Sequence, residues 1–153
     1  MMATATIETV GDRLHVLHQQ NLTTLTASRY WPQNTDSAKL PMIVPIPRNA
    51  TRRRVDDTLK EVTRTWGLVV LAGKWESGIP TQSTQRLAET LFGALEAVYD
   101  PRDRLQVTAA QPQLFDNLVS AQLAEDIGIG DRDGLATLEY SLVVTYYTSF
   151  SLI

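Results

Sequence analysis

The two histidines of the chain, His15 and His18, lie three residues apart, a spacing that brings two side chains together on one side of a helix. Two imidazoles can supply two ligands of a metal ion, but a zinc site needs further ligands. No H-E-x-x-H motif and no paired carboxylates accompany them. We therefore interpret both histidines as solvent-facing side chains of an amphipathic helix, and we predict no metal site.

Two short motifs towards the C-terminus are similar to ligand-binding loops. Asp131-Arg132-Asp133-Gly134 is similar to the centre of a calcium loop, but Ile129 and Tyr140 then occupy ligand positions that require oxygen donors. Gly128-Ile129-Gly130 begins like a dinucleotide loop, but Asp133 stands where the third glycine is needed. We predict that the Asp-Gly pair forms a turn before the last strand and that the chain binds no cofactor.

Nucleophilic catalysis also lacks a clear candidate. Ser83, Ser120 and Ser141 stand outside any G-x-S-x-G motif, and both histidines share one predicted helix, which disfavours a Ser-His-Asp triad. Any two of the 17 acidic residues could meet as a hydrolytic pair, and the sequence singles out none. The sequence therefore predicts a protein that is not an enzyme and has no catalytic residues.

The strongest charge cluster is formed by Arg52, Arg53 and Arg54. Guanidinium groups bind phosphates or the carboxylates of a protein partner. Because the formal net charge is −3, a protein partner is favoured over a nucleic acid, which usually selects a basic surface. We predict an exposed loop over residues 48–54, either a partner-binding surface or a solvated charge run.

The composition is typical of one ordinary globular domain. Residues 1–153 are 43% hydrophobic and 20% charged, and a chain of this length can bury a sizeable core. The absence of cysteine excludes disulfides and thiolate metal sites. No apolar run reaches the ~18 residues of a membrane span, and we expect no signal peptide and no membrane contact.

The pattern of apolar residues predicts an α+β fold with a mostly antiparallel sheet and two main helices packed on one face. Helices are expected where apolar residues recur every three or four positions, and strands where they alternate or form short runs. The predicted elements are a helix over 6–20, a strand over 22–27, a proline-rich edge strand over 40–47, a buried strand over 66–72, a helix from 81 or 83 to 99, a strand over 105–109, a segment over 111–125 that could form a short helix, a turn-rich loop over 126–134 and a strand over 136–148.

The chain ends in an apolar tail over residues 149–153, which includes Phe150, Leu152 and Ile153. Such residues either complete the core of their own chain or dock on a neighbour. Tyr146 and Tyr147 precede the tail and, as aromatic residues with a polar end, would suit an interface. In the alternative interpretation these two tyrosines simply finish the last strand.

Taken together, the elements resemble those of the tail terminators and related neck proteins of long-tailed bacteriophages. The resemblance covers nearly the whole chain, and it rests on the order of elements and on several short motifs. These are Asp12-Arg13-Leu14 in the first helix, the threonine-rich strand, Tyr30-Trp31-Pro32, Leu40-Pro41-Met42-Ile43-Val44-Pro45, the apolar strand over 66–71, the leucine-striped helix and the final strand beginning Gly134-Leu135-Ala136-Thr137-Leu138.

The resemblance implies a structural subunit of the virion, assembled in the bacterial cytoplasm at the neck or tail end. In that family a hexameric ring caps the tail tube and joins it to the head connector, and DNA passes through the ring without sequence-specific binding. The family has no catalytic residues to transfer. We expect Arg52 to Arg54 and the tail to belong to ring contacts. Two alternatives stay open: another head–tail neck or connector layer, and a small hydrolase or ligand-binding domain.

Overall fold

The computed structural model describes residues 4–33, 40–74, 82–106, 115–132 and 134–149. Within these ranges the chain forms two helices and a five-stranded sheet of order β1-β2-β3-β5-β4. All neighbouring strands are antiparallel except the short pair β1 and β2. The predicted α+β class is confirmed. The elements are α1 (Ile7–Asn21), β1 (Thr26–Ala27), β2 (Met42–Arg54), β3 (Leu59–Lys74), α2 (Gln82–Tyr99), β4 (Leu118–Arg132) and β5 (Leu135–Ser149).

Helix α1 begins at a reciprocal cap. The Thr6 hydroxyl accepts a hydrogen bond from the Thr9 N–H at 3.1 Å, and the Thr9 hydroxyl accepts one from the Thr6 N–H at 2.8 Å. Two of the N–H groups that a helix leaves without partners at its first turn are thereby satisfied. The predicted start of this helix is confirmed, and Asp100-Pro101 ends α2 as expected.

Both helices pack on the same face of the sheet, which we call the covered face. Cross-strand pairs place Trp66, Leu68 and Val70 of β3 on this face, where they join the apolar residues of α1 and α2 in one buried cluster. The strict alternation of buried and half-buried residues along β5 follows from this one-sided packing. The long apolar run of β3 is buried on both faces, as predicted. On the opposite, open face a second apolar cluster covers it, formed by Met42, Val44, Leu71, Trp31, Leu40 and Ile46.

Four predicted segments differ in the structure. Residues 48–54 are not a loop but the continuation of β2. The possible helix over 111–125 and the loop over 126–134 are replaced, over residues 118–132, by the single strand β4. In both strands, pairing with a long neighbouring strand overrides a polar or glycine-rich local sequence. The predicted strand over 22–27 shortens to Thr26–Ala27.

Two further predictions fall partly or wholly outside the described residues. Leu105 and Gln106 do not belong to a strand, and the rest of the predicted 105–109 strand lies outside the description. The apolar tail from residue 150 onwards also lies outside it. Neither described helix combines the length and the apolarity needed to cross a bilayer.

Candidate functional site

The three consecutive arginines form the end of β2, next to the β2–β3 turn. They pair in register with the start of β3, as Arg52 with Val62, Arg53 with Glu61 and Arg54 with Lys60. The turn itself is fixed by Asp56, whose carboxylate accepts hydrogen bonds from the Thr58 N–H at 2.8 Å and the Thr58 hydroxyl at 3.1 Å. These hydrogen bonds lower the pKa of the Asp56 carboxyl. All three arginines are exposed.

The exposed arginines differ in their ionic partners. Arg53 Nη2 lies 3.4 Å from Glu61 Oε2, and Arg54 Nη2 lies 2.8 Å from Asp57 Oδ1. Arg52 makes no ion pair with any residue that the structure describes. Because the Arg53 side chain is 73% exposed, its ion pair contributes little to stability. The guanidinium groups of Arg52 and Arg53 are therefore accessible to another molecule.

An irregularity in β2 separates this basic segment from the apolar half of the strand. The register shifts between Pro47 and Ala50, and the buried Arg64 guanidinium donates a hydrogen bond to the Arg48 carbonyl there at 3.0 Å. The Arg48 side chain crosses β3 above Gly67 and forms an ion pair with Glu139 of β5. Regular pairing of β2 resumes over residues 50–54.

A shallow groove of about 330 Å³ runs along β4 and β5 on the open face. Gly128 and Gly130 form its floor because they carry no side chains, and Asp126 and Glu139 supply two carboxylates at its sides. The groove reaches the outer edge of the sheet, since β4 is its last strand. The exposed side chains Glu125 and Asp131 add two acidic groups at this edge, and Arg132, whose guanidinium carbon lies 4.4 Å from the centre of the Trp31 ring, adds one basic group.

The sheet thus has two open edges of different character. On one side β2 pairs with β1 only at Met42 and Ile43, so that no described strand adjoins its arginine segment, residues 50–54. On the other side the start of β4 is covered by the loop after α2, where the Ala121 N–H donates to the Asp103 carbonyl at 2.6 Å. No described strand adjoins the outer edge of β4 over residues 127–132, which we call the β4 edge.

No protein-family model matches the chain, and a search of curated proteins found no match.

The structure corrects our interpretation of the histidines. His18 is fully buried, and its Nε2 lies 2.6 Å from the Tyr99 hydroxyl, so that one hydrogen bond joins α1 to α2. Burial lowers the pKa of His18 to about 3, since a buried imidazole resists protonation. His15 is half-buried, and burial together with the neighbouring Arg29 lowers its pKa. Among the residues described, no group of three His, Asp or Glu side chains could hold a metal ion.

The two tyrosines of the predicted interface have different environments. Tyr146 is only 6% exposed and belongs to the main core, so the chain itself accounts for its burial. Tyr147 is half-buried on the open face, opposite Glu61, and keeps some surface for a partner. Phe150, Leu152 and Ile153 lie outside the described residues, but Ser149 pairs with Leu59 and so places the start of the tail beside the β2–β3 turn.

The acidic groove and the β4 edge are the features that sequence reasoning missed. The alternation Asp126, Gly128, Gly130 was the available signal, because every second residue of a strand faces the same side. Because the segment is a strand in the structure, these positions share one face and give it a bare, negatively charged surface. The strand was not predicted because glycines in this segment are typical of turns.

Proposed function

We propose that this chain is a structural subunit of the head–tail junction of a long-tailed bacteriophage, namely a tail terminator. As such it would form a hexameric ring that caps the tail tube and joins it to the head connector. The proposal starts from the resemblance in the order of elements. It draws support from the α+β architecture, a mostly antiparallel sheet with two helices on one face.

The observation that carries the proposal is the pair of unlike edges. A ring is built from head-to-tail contacts, in which each subunit presents two different surfaces that complement each other. In the described part of the sheet, the open edge of β2 carries Arg52, Arg53 and Arg54, and the open part of β4 carries Glu125, Asp126 and Asp131 against one basic residue, Arg132. A subunit with these two edges can contact one neighbour on each side, as ring assembly requires.

The charge balance fits a passage for DNA. Strong binding to duplex DNA requires many Lys or Arg contacts with phosphates, whereas this chain has a formal net charge of −3. If the arginine segment is engaged by a neighbouring subunit, the 11 other Lys and Arg residues are outnumbered by the 17 Asp and Glu residues. The proposed ring would therefore surround DNA without reading its sequence. Its protein partners would be the tail tube on one side and the connector on the other.

Negative-stain electron microscopy of the concentrated protein tests the proposal. We expect class averages of rings with six-fold symmetry and an open centre. Particles without a central opening, or a chain that stays monomeric at every concentration, would contradict the ring. Addition of purified tail tubes provides a second readout, since a terminator should decorate only the ends of the tubes and a tube-wall protein should bind along their length.

A further inference from the structure

We propose that the arginine segment of one copy adds as a new strand to the β4 edge of the next copy, in antiparallel orientation. The inference rests on the proposed ring and names the contact that builds it. Both segments are regular strands whose outer sides adjoin no described strand. Such edges present unpaired N–H and C=O groups, which form hydrogen bonds with the backbone of another chain.

The direction of the strands favours this pairing. Within the sheet, β2 is antiparallel to β3, β3 to β5 and β5 to β4. Strands β2 and β4 therefore run in opposite directions. If two copies lie side by side in the same orientation, β4 of one meets β2 of the next as an antiparallel neighbour, and the more stable of the two ladder types continues across the interface.

The extent of the regular segments sets the length of the contact. Irregularities in register occur in β2 between Pro47 and Ala50 and in β4 between Leu123 and Ile127. Bulges of this kind end regular pairing along an edge. They leave residues 50–54 on β2 and 127–132 on β4, two segments of similar length, free of irregularity on their inner sides.

Charge selects the head-to-tail arrangement over a symmetric one. Pairing of two β2 edges would place the arginine segments of both copies side by side, whereas residues 125–132 of β4 carry three acidic residues, Glu125, Asp126 and Asp131, and one basic residue, Arg132. Like charges directly opposite each other destabilise a strand pair. Pairing of β2 with β4 instead joins the arginine segment to a strand with an excess of acidic residues, which favours association of the two unlike edges.

The groove gives one arginine a defined place. Arg53 pairs in register with Glu61, and Glu61 pairs with Tyr147, which lies on the open face. Because residues paired in register share a face, the Arg53 side chain also lies on the open face. The groove on that face lies at the β4 edge, with glycines as its floor and the carboxylates of Asp126 and Glu139 at its sides. In the antiparallel pairing, Arg53 of the neighbour lies over Gly128 and Gly130 and reaches the carboxylate of Asp126, which forms no ion pair with a described residue, whereas Glu139 already pairs with Arg48.

The two segments lie at opposite ends of the sheet, and this offset excludes a flat, unshifted row of copies. Arg52 shares a row with Val62 of β3, whereas Gly128 shares a row with Glu139 of β5 and Val69 of β3. The offset of about seven residues corresponds to roughly 23 Å along the strands. Neighbouring copies must therefore be displaced along the strand direction, so that the strands are inclined to the ring plane.

Two double variants with complementary charges test the contact. Arg52→Glu/Arg53→Glu makes both edges acidic, and Glu125→Arg/Asp126→Arg makes both edges basic. For each variant alone, the protein concentration needed for half-maximal assembly should be at least about tenfold higher than for the wild type, because like charges then meet at every contact. An equimolar mixture should recover rings in which the two variants alternate. Glu89→Arg/Glu96→Arg, two exposed positions on α2, is the control and should assemble normally.

The outcomes separate this contact from the wider proposal. Circular dichroism first establishes that each variant is folded. If both double variants form rings as the wild type does, or if the folded variants fail to assemble when mixed, the β2–β4 contact is wrong. Neither result contradicts the ring itself. A wild-type chain that forms no ring at all would reject the ring itself. Hydrogen exchange adds a second measurement, since assembly should slow amide exchange in residues 50–54 and 127–132 relative to α2.

Discussion

His18 and Tyr99 share a hydrogen bond of 2.6 Å between their ring nitrogen Nε2 and hydroxyl oxygen, and this bond joins the two helices beneath which the sheet lies. Both side chains are almost completely buried. His18 Nδ1 has no hydrogen-bond partner among the described residues. A protonated imidazole would carry a buried charge and an unsatisfied N–H at this position, and both cost free energy.

The buried imidazole predicts that the protein loses stability in mild acid. The pKa of His18 is about 3 in the folded chain and near the ordinary 6.5 when unfolded, so the unfolded state binds more protons between these values. The free energy of unfolding should therefore fall as the pH decreases from about 6.5 towards 3, by about 1.4 kcal/mol for each unit of pH at most. Urea denaturation at several pH values, followed by the fluorescence of the buried Trp66, measures this slope. His15→Gln serves as the control for the weaker shift at His15.

Removal of one partner of the hydrogen bond should cost more than removal of both. Tyr99→Phe leaves His18 Nε2 buried without a partner, and we expect a loss of about 1–3 kcal/mol. His18→Leu/Tyr99→Phe removes both polar groups and should cost less than the sum of the two single changes. The double variant should also lose most of the His18 slope with pH. Additive costs in a double-mutant cycle would argue that the two residues act independently.

Gly67 provides the space in which Arg48 and Glu139 pair across β3. A Cβ atom at this position would lie 2.9 Å from Arg48 Nε and 3.0 Å from Glu139 Cδ, so Gly67→Ala must displace the pair. We expect a net cost below about 1 kcal/mol, because the exposed ion pair is weak and alanine is itself preferred to glycine within a strand. In a Glu139→Ala background the same change should instead stabilise the protein. Equal effects in both backgrounds, measured by urea denaturation, would contradict this account.

Deletion of residues 150–153 should impair assembly while the monomer stays folded. Ser149, the first residue of the tail, pairs with Leu59 beside the β2–β3 turn, and the apolar residues of the tail suit a contact with a neighbour. Sedimentation velocity measures assembly, and circular dichroism measures folding. Normal assembly of the truncated chain would refute a role of the tail in the contact, and unfolding would assign the tail to the core of its own chain.

The helices and the last strand could be predicted because periodicity alone determines them. In α2 the leucines recur on one face, and in β5 every second residue is buried, so that local pattern and tertiary packing agree. Strand β4 could not be predicted in this way. Its glycines and acidic residues favour turns, and the pairing with β5 that makes the segment a strand is a long-range interaction.

The burial of His18 could have been predicted from the sequence. It follows Leu14 by four residues and therefore shares the apolar face of α1 with Val10, Leu14 and Leu17. Its polar side chain suggested a solvent-exposed position, whereas its spacing from the apolar residues indicated a buried one. The identity of its partner, Tyr99, depends on how the two helices pack and could not be read from either helix alone. The arginine segment was identified from its charge, but the strand that presents it required the sheet register.

The solution mass of the wild-type chain as a function of concentration tests the central claim most directly. Native mass spectrometry or sedimentation equilibrium should show one dominant assembly of six 17.0 kDa chains, in exchange with monomer and without a prominent dimer, because unlike edges close only when the ring is complete. A stable two-fold dimer as the end state, or a monomer at all concentrations, would contradict the account.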